Sequence, residues 1–213
     1  MTNEVSFISQ AKEFAPVVQN VVLALCAIAT VIIAYLGLTT WRKERKGKSE
    51  YAKAKEVLKA VYKVSEGFKI VRSPVIYTYE YPEEMRDEDS GHLKKGYQQK
   101  GTSHVYQERW KHLSGAFEEL ENQALDAQVE WGAEFKDAMV PLRSCRVDLQ
   151  VAIQRLLESK ADSARAKYLS DEEWERQQSI LYHIGGGSHD SFTPEVDAAI
   201  SLFERKLRPL IKK

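Results

Sequence analysis

Hydrophobic positions follow two different patterns along this chain. Residues 14–41 contain no Asp, Glu, Lys, Arg or His, and the densest part, VVLALCAIATVIIAYLGL at 21–38, is apolar on every side of a helix. An uncharged stretch of 28 residues spans about 42 Å at ~1.5 Å per residue, more than the ~30 Å hydrocarbon core of a bilayer. An amphipathic surface helix would be apolar on one stripe only, and a chain this short could hardly cover such a segment as a core helix. The pattern therefore predicts a transmembrane helix over 14–41, with a short N-terminus, 1–13, on one side.

After Trp41 the apolar residues recur at helical spacing instead. Ala54, Val57, Val61, Val64, Phe68 and Val71 step by 3, 4, 3, 4, 3, a heptad-like seam. Pro74 closes that segment. Between it and the membrane helix lies only a basic segment with Gly47, so the two are expected to join into one long helix that bends near the membrane surface. A second seam runs from His104 to Met139: Tyr106, Trp110, Leu113, Phe117, Leu120, Ala124, Ala127 and Trp131 step by 4, 3, 4, 3, 4, 3, 4, with Phe135 and Met139 continuing it. Pro141 marks a kink or a new first turn. Leu142, Cys145, Leu149, Ile153 and Leu156 carry the next face. Ser170 and Glu173 are spaced as a capping box for a helix reaching about Ile184. Thr193 and Pro194 read as the cap and first residue of the last helix, whose face is Val196, Ile200, Phe203, Leu207 and Ile211. Residues 73–103, with Pro74, Pro82, the acidic run 83–89 and alternating Tyr77, Tyr79 and Tyr81, form a long loop. Its tyrosines either pack on the helices or offer a binding surface. The chain thus reads as all-α: one N-terminal transmembrane helix, a basic juxtamembrane segment at 42–50, and an elongated antiparallel helical bundle over 51–213.

Charge orients the anchor. Arg42, Lys43, Arg45, Lys46 and Lys48 follow the apolar run directly, whereas only Lys12 precedes it, beside Glu13. The positive-inside rule puts the C-terminal part in the cytoplasm and the N-terminus outside. Trp41 belongs at the interface, and the basic residues face anionic lipid. The segment before the run lacks the basic start of a signal peptide, so the helix is expected to be retained. The stretch from Thr39 through Thr40, Trp41, Arg42, Lys43 and Glu44, with Lys46, Gly47, Lys48, Glu50 and Tyr51, resembles the juxtamembrane part of uncharacterised bacterial single-pass inner-membrane proteins with a TTWRKE-type segment. The resemblance covers little of the chain. It implies a bacterial inner membrane and brings no activity.

Within the span, Cys26, Thr30 and Ala34 fall at i, i+4 and i+8, with Gly37 close by. Small residues on one face let helices approach, so self-association through this face is one reading; chance in an Ala-rich helix is the plainer one.

Candidate chemistry is sparse. The formal net charge is zero, with 31 basic and 31 acidic residues, which gives no global field for nucleic acid. The two cysteines, Cys26 and Cys145, lie far apart and offer neither a zinc pattern nor an expected disulfide. The five histidines form no HExxH pair, and His104 and His112, eight apart, serve a shared metal poorly. His183, Gly185, Gly186, Gly187, His189 and Asp190 could cradle an anion, and His183, His189 and Asp190 could ligate a metal or work as acid and base, but no Lys-Ser/Thr follows the glycines; a helix end and a solvated loop explain them more simply. No cofactor or metal is called for. The leading expectation is a non-catalytic, membrane-anchored interaction module whose partners are the lipid bilayer, a cytoplasmic protein and a second copy of the chain. The alternatives are a membrane-acting effector or toxin of a bacterial defence system, its bundle controlling oligomerisation of the span, and an enzyme using the His183–Asp190 loop.

Overall fold

The structure, a computed structural model, describes residues 2–132, 134–161, 170–183 and 190–211. Gly185, Gly186, Gly187 and His189 lie outside the described residues. Among the described residues the protein is all-helical: α1 (Thr2–Val71), α2 (Gln98–Trp131), α3 (Glu134–Ala161), α4 (Asp171–Leu181) and α5 (Phe192–Ile211). No named strand occurs among them; an isolated bridge joins Arg86 and Leu93. By its contacts the chain divides into two compact units, Met1–Glu50 and Tyr51–Lys213.

The first unit is the N-terminal part of α1. Helical backbone is continuous through Gly47 and the basic segment, where Glu44–Lys48 (2.8 Å) and Lys46–Glu50 (3.9 Å) pair one turn apart. Among the described residues, one helix is long and apolar enough to cross a membrane, and none of its most apolar window is buried.

The second unit has one hydrophobic core. The seam residues Ala54, Val57, Val61, Val64, Phe68 and Val71 are all buried. Phe68 sits edge-on against Phe117 of α2 (centroids 5.8 Å) and Phe192 of α5 (6.0 Å), a geometry that suits the ring quadrupoles. Beside it, a Cβ on Gly67 would lie 2.9 Å from Leu113 Cδ1 and 3.2 Å from Leu113 Cα. The glycine therefore lets α1 and α2 approach closely. Leu142, Cys145, Leu149, Ile153 and Leu156 of α3, and Val196, Ile200, Phe203 and Leu207 of α5, are buried in the same cluster. Helix α3 packs on α2, α4 and α5.

Four boundaries differ from the sequence expectation. Helix α2 starts earlier, at Gln98, because Gly101 and Thr102 are buried: Gly101 packs under Leu93 and Tyr81, and the Thr102 hydroxyl donates to the Gln98 carbonyl. The long seam is broken not at Pro141 but at Gly132, whose φ of 86° ends α2 while its N–H donates to the Gln128 carbonyl. Pro141 lies inside α3. Its missing N–H removes one helical bond, and burial of Ala138, Met139 and Leu142 on either side offsets that loss. The last helix begins at Phe192, and its capping acceptor is Asp190, which takes the Thr193 N–H at 2.9 Å. The capping box of α4 forms as expected: the Glu173 N–H donates to Ser170 Oγ (3.3 Å) and the Ser170 N–H to Glu173 Oε2 (2.9 Å). That helix ends at Leu181 rather than Ile184.

Candidate functional site

Two buried arginines organise the polar structure of the second unit. Arg109 of α2 is only 5% exposed. Its Nε and Nη2 donate to the two oxygens of Glu80 (2.6 and 2.8 Å), its Nη1 to the Ser73 carbonyl (2.8 Å) and its Nη2 also to the Val75 carbonyl (2.6 Å). One guanidinium thus fixes the loop after α1 at three places, using the fork geometry that only arginine offers. Glu80 also accepts the Tyr77 N–H at 2.8 Å. Burial pushes the Glu80 carboxyl up, but hydrogen bonds from Arg109 and Tyr77 and the Arg109 charge outweigh it and hold the group below the usual carboxylate range.

The pinned loop folds into two short 3₁₀ turns, Thr78–Glu80 and Glu83–Met85. The alternating tyrosines do not form a strand. Tyr77 and Tyr79 stack face to face, centroids 5.4 Å apart and planes within 7°, and stay exposed at 53% and 74%. Tyr81 turns inward over Gly101. Between this loop and α2 lies an open cleft of about 850 Å³, a size typical of ligand sites. The loop side carries Tyr77, Tyr79, Tyr81, Glu83 and Arg86; the α2 side carries His104, Glu108 and His112 at four-residue spacing. Arg86 stands 3.7 Å from Glu83, and Glu108 pairs with Lys111. Among the described residues, no group of three His, Cys, Asp or Glu is placed to hold a metal ion.

The second arginine, Arg72, is 2% exposed. It donates to the carbonyls of Ile180 (2.8 Å), Ser179 (2.7 Å) and Tyr182 (3.2 Å), to Thr193 Oγ1 (2.8 Å) and to Asp190 Oδ1 (2.9 Å). Its guanidinium also lies over the Phe192 ring at 4.8 Å. Burial pulls Arg72 below its ordinary value, and Asp190 pulls it back. For Asp190 itself burial works upward, but bonds from Thr193 and the Arg72 charge win and hold it low. Of the sequence-predicted loop residues, Asp190 is therefore engaged by Arg72 and Thr193. His183 joins the same node, its Nδ1 lying 3.2 Å from Thr193 Oγ1 and 3.5 Å from Asp190 Oδ2. Its N–H donates to the Arg72 carbonyl at 2.8 Å. What the described residues build here is a lock between the end of α1 and the α4–α5 junction.

In the first unit, Trp41 is 55% exposed with the Arg45 guanidinium 5.4 Å above its ring. Arg42, Lys43, Lys46 and Lys48 are exposed as well. Cys26, Thr30, Ala34 and Gly37 all face open space, and the Thr30 hydroxyl is satisfied by the Cys26 carbonyl at 2.8 Å. Arg72 and Arg109 were missed from sequence. Arg109 had a readable signal: it stands three residues after Tyr106 and four before Leu113, on the apolar stripe itself. Comparison with known proteins adds no relative, since no protein-family model, curated protein or solved structure matches the chain.

Proposed function

We propose that this chain is a membrane-anchored docking module, non-catalytic, that holds an antiparallel helical bundle at the cytoplasmic face of a bacterial inner membrane and presents the tyrosine cleft to a protein partner. The observation that carries this reading is the apolar stretch of α1, long enough to span a bilayer and buried nowhere in its most apolar window. Left in water, that surface would be strongly unfavourable; a bilayer removes it from water without any further fold. The basic residues after Trp41 support an outside N-terminus. The bundle reading is supported by pairs that run in opposite senses: Lys53–Asp126 with Lys63–Glu119, and Arg143–Glu121 with Lys160–Thr102. The docking role rests on the exposed Tyr77–Tyr79 stack, which Arg109 and Glu80 hold in place.

The test is fractionation of the expressed chain. The expected result is retention in the membrane after an alkaline wash, loss of that retention in Ile33→Asp, and protection of residues 51–213 from protease added outside intact cells. A chain released by the wash, or a bundle cleaved from outside, overturns the anchor or its orientation.

The open face of Cys26, Thr30, Ala34 and Gly37 favours a second reading, a membrane-acting effector whose span self-associates. It requires that Thr30→Ile with Ala34→Ile reduce both oligomer size in membranes and toxicity on expression; unchanged size removes it.

A further inference from the structure

We infer that the cleft between the tyrosine loop and α2 takes a cationic segment of a partner protein, an extended stretch carrying arginine or lysine. This deepens the docking reading and rests on it. The shape comes first: the loop is fixed by the Arg109–Glu80 fork and its carbonyl bonds, so the cleft exists without a ligand to order it, and preformed sites cost less to fill. The aromatic surface comes second. The Tyr77–Tyr79 pair is stacked on itself and open to solvent, presenting the ring faces that attract guanidinium and ammonium groups.

Charge selects the occupant. Residues 77–93 hold six acidic side chains and one basic one, Arg86; of the six, Glu80 and Glu83 line the cleft itself. The positive groups at the cleft already face carboxylates: Arg109 grips Glu80, and Arg86 leans toward Glu83. Glu83 keeps its side chain 93% exposed at the rim. An incoming cation therefore meets tyrosine faces and the accessible Glu83 carboxylate, whereas an acidic segment meets the like charge of Glu83. His104 and His112 stand beside Glu108 on the α2 wall.

The test uses the full chain in nanodiscs of neutral lipid, with three labelled synthetic peptides: alternating arginine and serine, the same with glutamate for arginine, and the same with glutamine. The arginine peptide is expected to bind most tightly and to weaken with added salt. Tyr79→Ala should weaken it about three- to fivefold, as for an exposed cation–π contact, while Tyr79→Phe retains it and Glu83→Gln reduces it. Both side chains are exposed, so an unchanged thermal melt checks that the fold is intact. Glutamate peptide binding as tightly, with the same sensitivity to Tyr79→Ala, overturns the cationic class and leaves the docking reading standing. Arginine peptide binding that is indifferent to Tyr79 and Glu83, or no binding by any peptide, overturns the cleft as the site. The fractionation experiment reads the anchor independently of all three outcomes.

Discussion

Residues 21–38 and 54–71 lie in the same helix, both rich in aliphatic side chains, and they meet opposite fates. In the first stretch Val31 is 69% and Ile33 70% exposed; in the second Val57, Val61 and Val64 are completely buried. Composition does not explain the difference; arrangement does. A segment apolar all round cannot be satisfied by neighbours on one side, so it needs a surrounding medium. A seam with a period near 3.5 residues needs only one apolar partner face, and α2 and α5 provide it through Phe117 and Phe192. The lesson is that the period of the pattern, more than its strength, tells whether a helix is satisfied by a packing partner on one side or left exposed all round.

The comparison breaks most sharply at Phe68. Phe68→Ala should destabilise the second unit by about 3–5 kcal/mol, the usual range for emptying a buried aromatic site, whereas Ile33→Ala should leave the urea midpoint of that unit unchanged in detergent. A similar loss at both positions would mean that residues 21–38 are packed after all. Asp190→Ala should also be severe, about 3–5 kcal/mol, because it strands the buried Arg72 charge. The carboxyl of Asp190 is held below its unfolded value, so its contribution is present at neutral pH and is lost as pH falls from about 4 through the folded value. Stability measured against pH should therefore drop on the acid side in the wild type and flatten there in Asp190→Asn.

A smaller effect is expected where α1 touches α2. Gly67→Ala forces a methyl against the Leu113 side chain and backbone, which should cost about 1–3 kcal/mol in a denaturant titration, as overpacking does. No change would show that the two helices are free to move apart at that point. The smallest effect is at the α4 cap: Ser170→Ala should cost about 1 kcal/mol, seen as faster amide exchange in the first turn of α4 and little change elsewhere.

The helical faces were legible because each is a local pattern. The seam at 54–71, the stripe on α3 and the Ser170–Glu173 box can be read from residues within a few turns of one another. The boundaries were less legible. The stripe reads on past Trp131 to Met139 with its break expected at Pro141, whereas the helix ends at Gly132 and Pro141 sits inside α3 between buried Met139 and Leu142. The candidate site was legible only in part. The tyrosines and acidic run at 77–89 could be seen as a special loop. That Arg109 would hold it could be suspected from the placement of that arginine on an apolar stripe, but Arg72 and Asp190 are 118 residues apart, and no local pattern connects them.

By itself, the sequence determined that the chain is helical, that residues 14–41 are uncharged and 21–38 apolar on all sides, and which side chains in each later helix face inward. These follow from backbone periodicity and from the cost of leaving apolar surface in water, both local properties. The tertiary structure alone decided how the polar exceptions are resolved: Arg109 closing the tyrosine loop into a cleft, and Arg72 drawing the α4–α5 junction onto the end of α1. A buried charge demands a counter-charge and hydrogen-bond acceptors in three dimensions, and those partners were brought together only by folding.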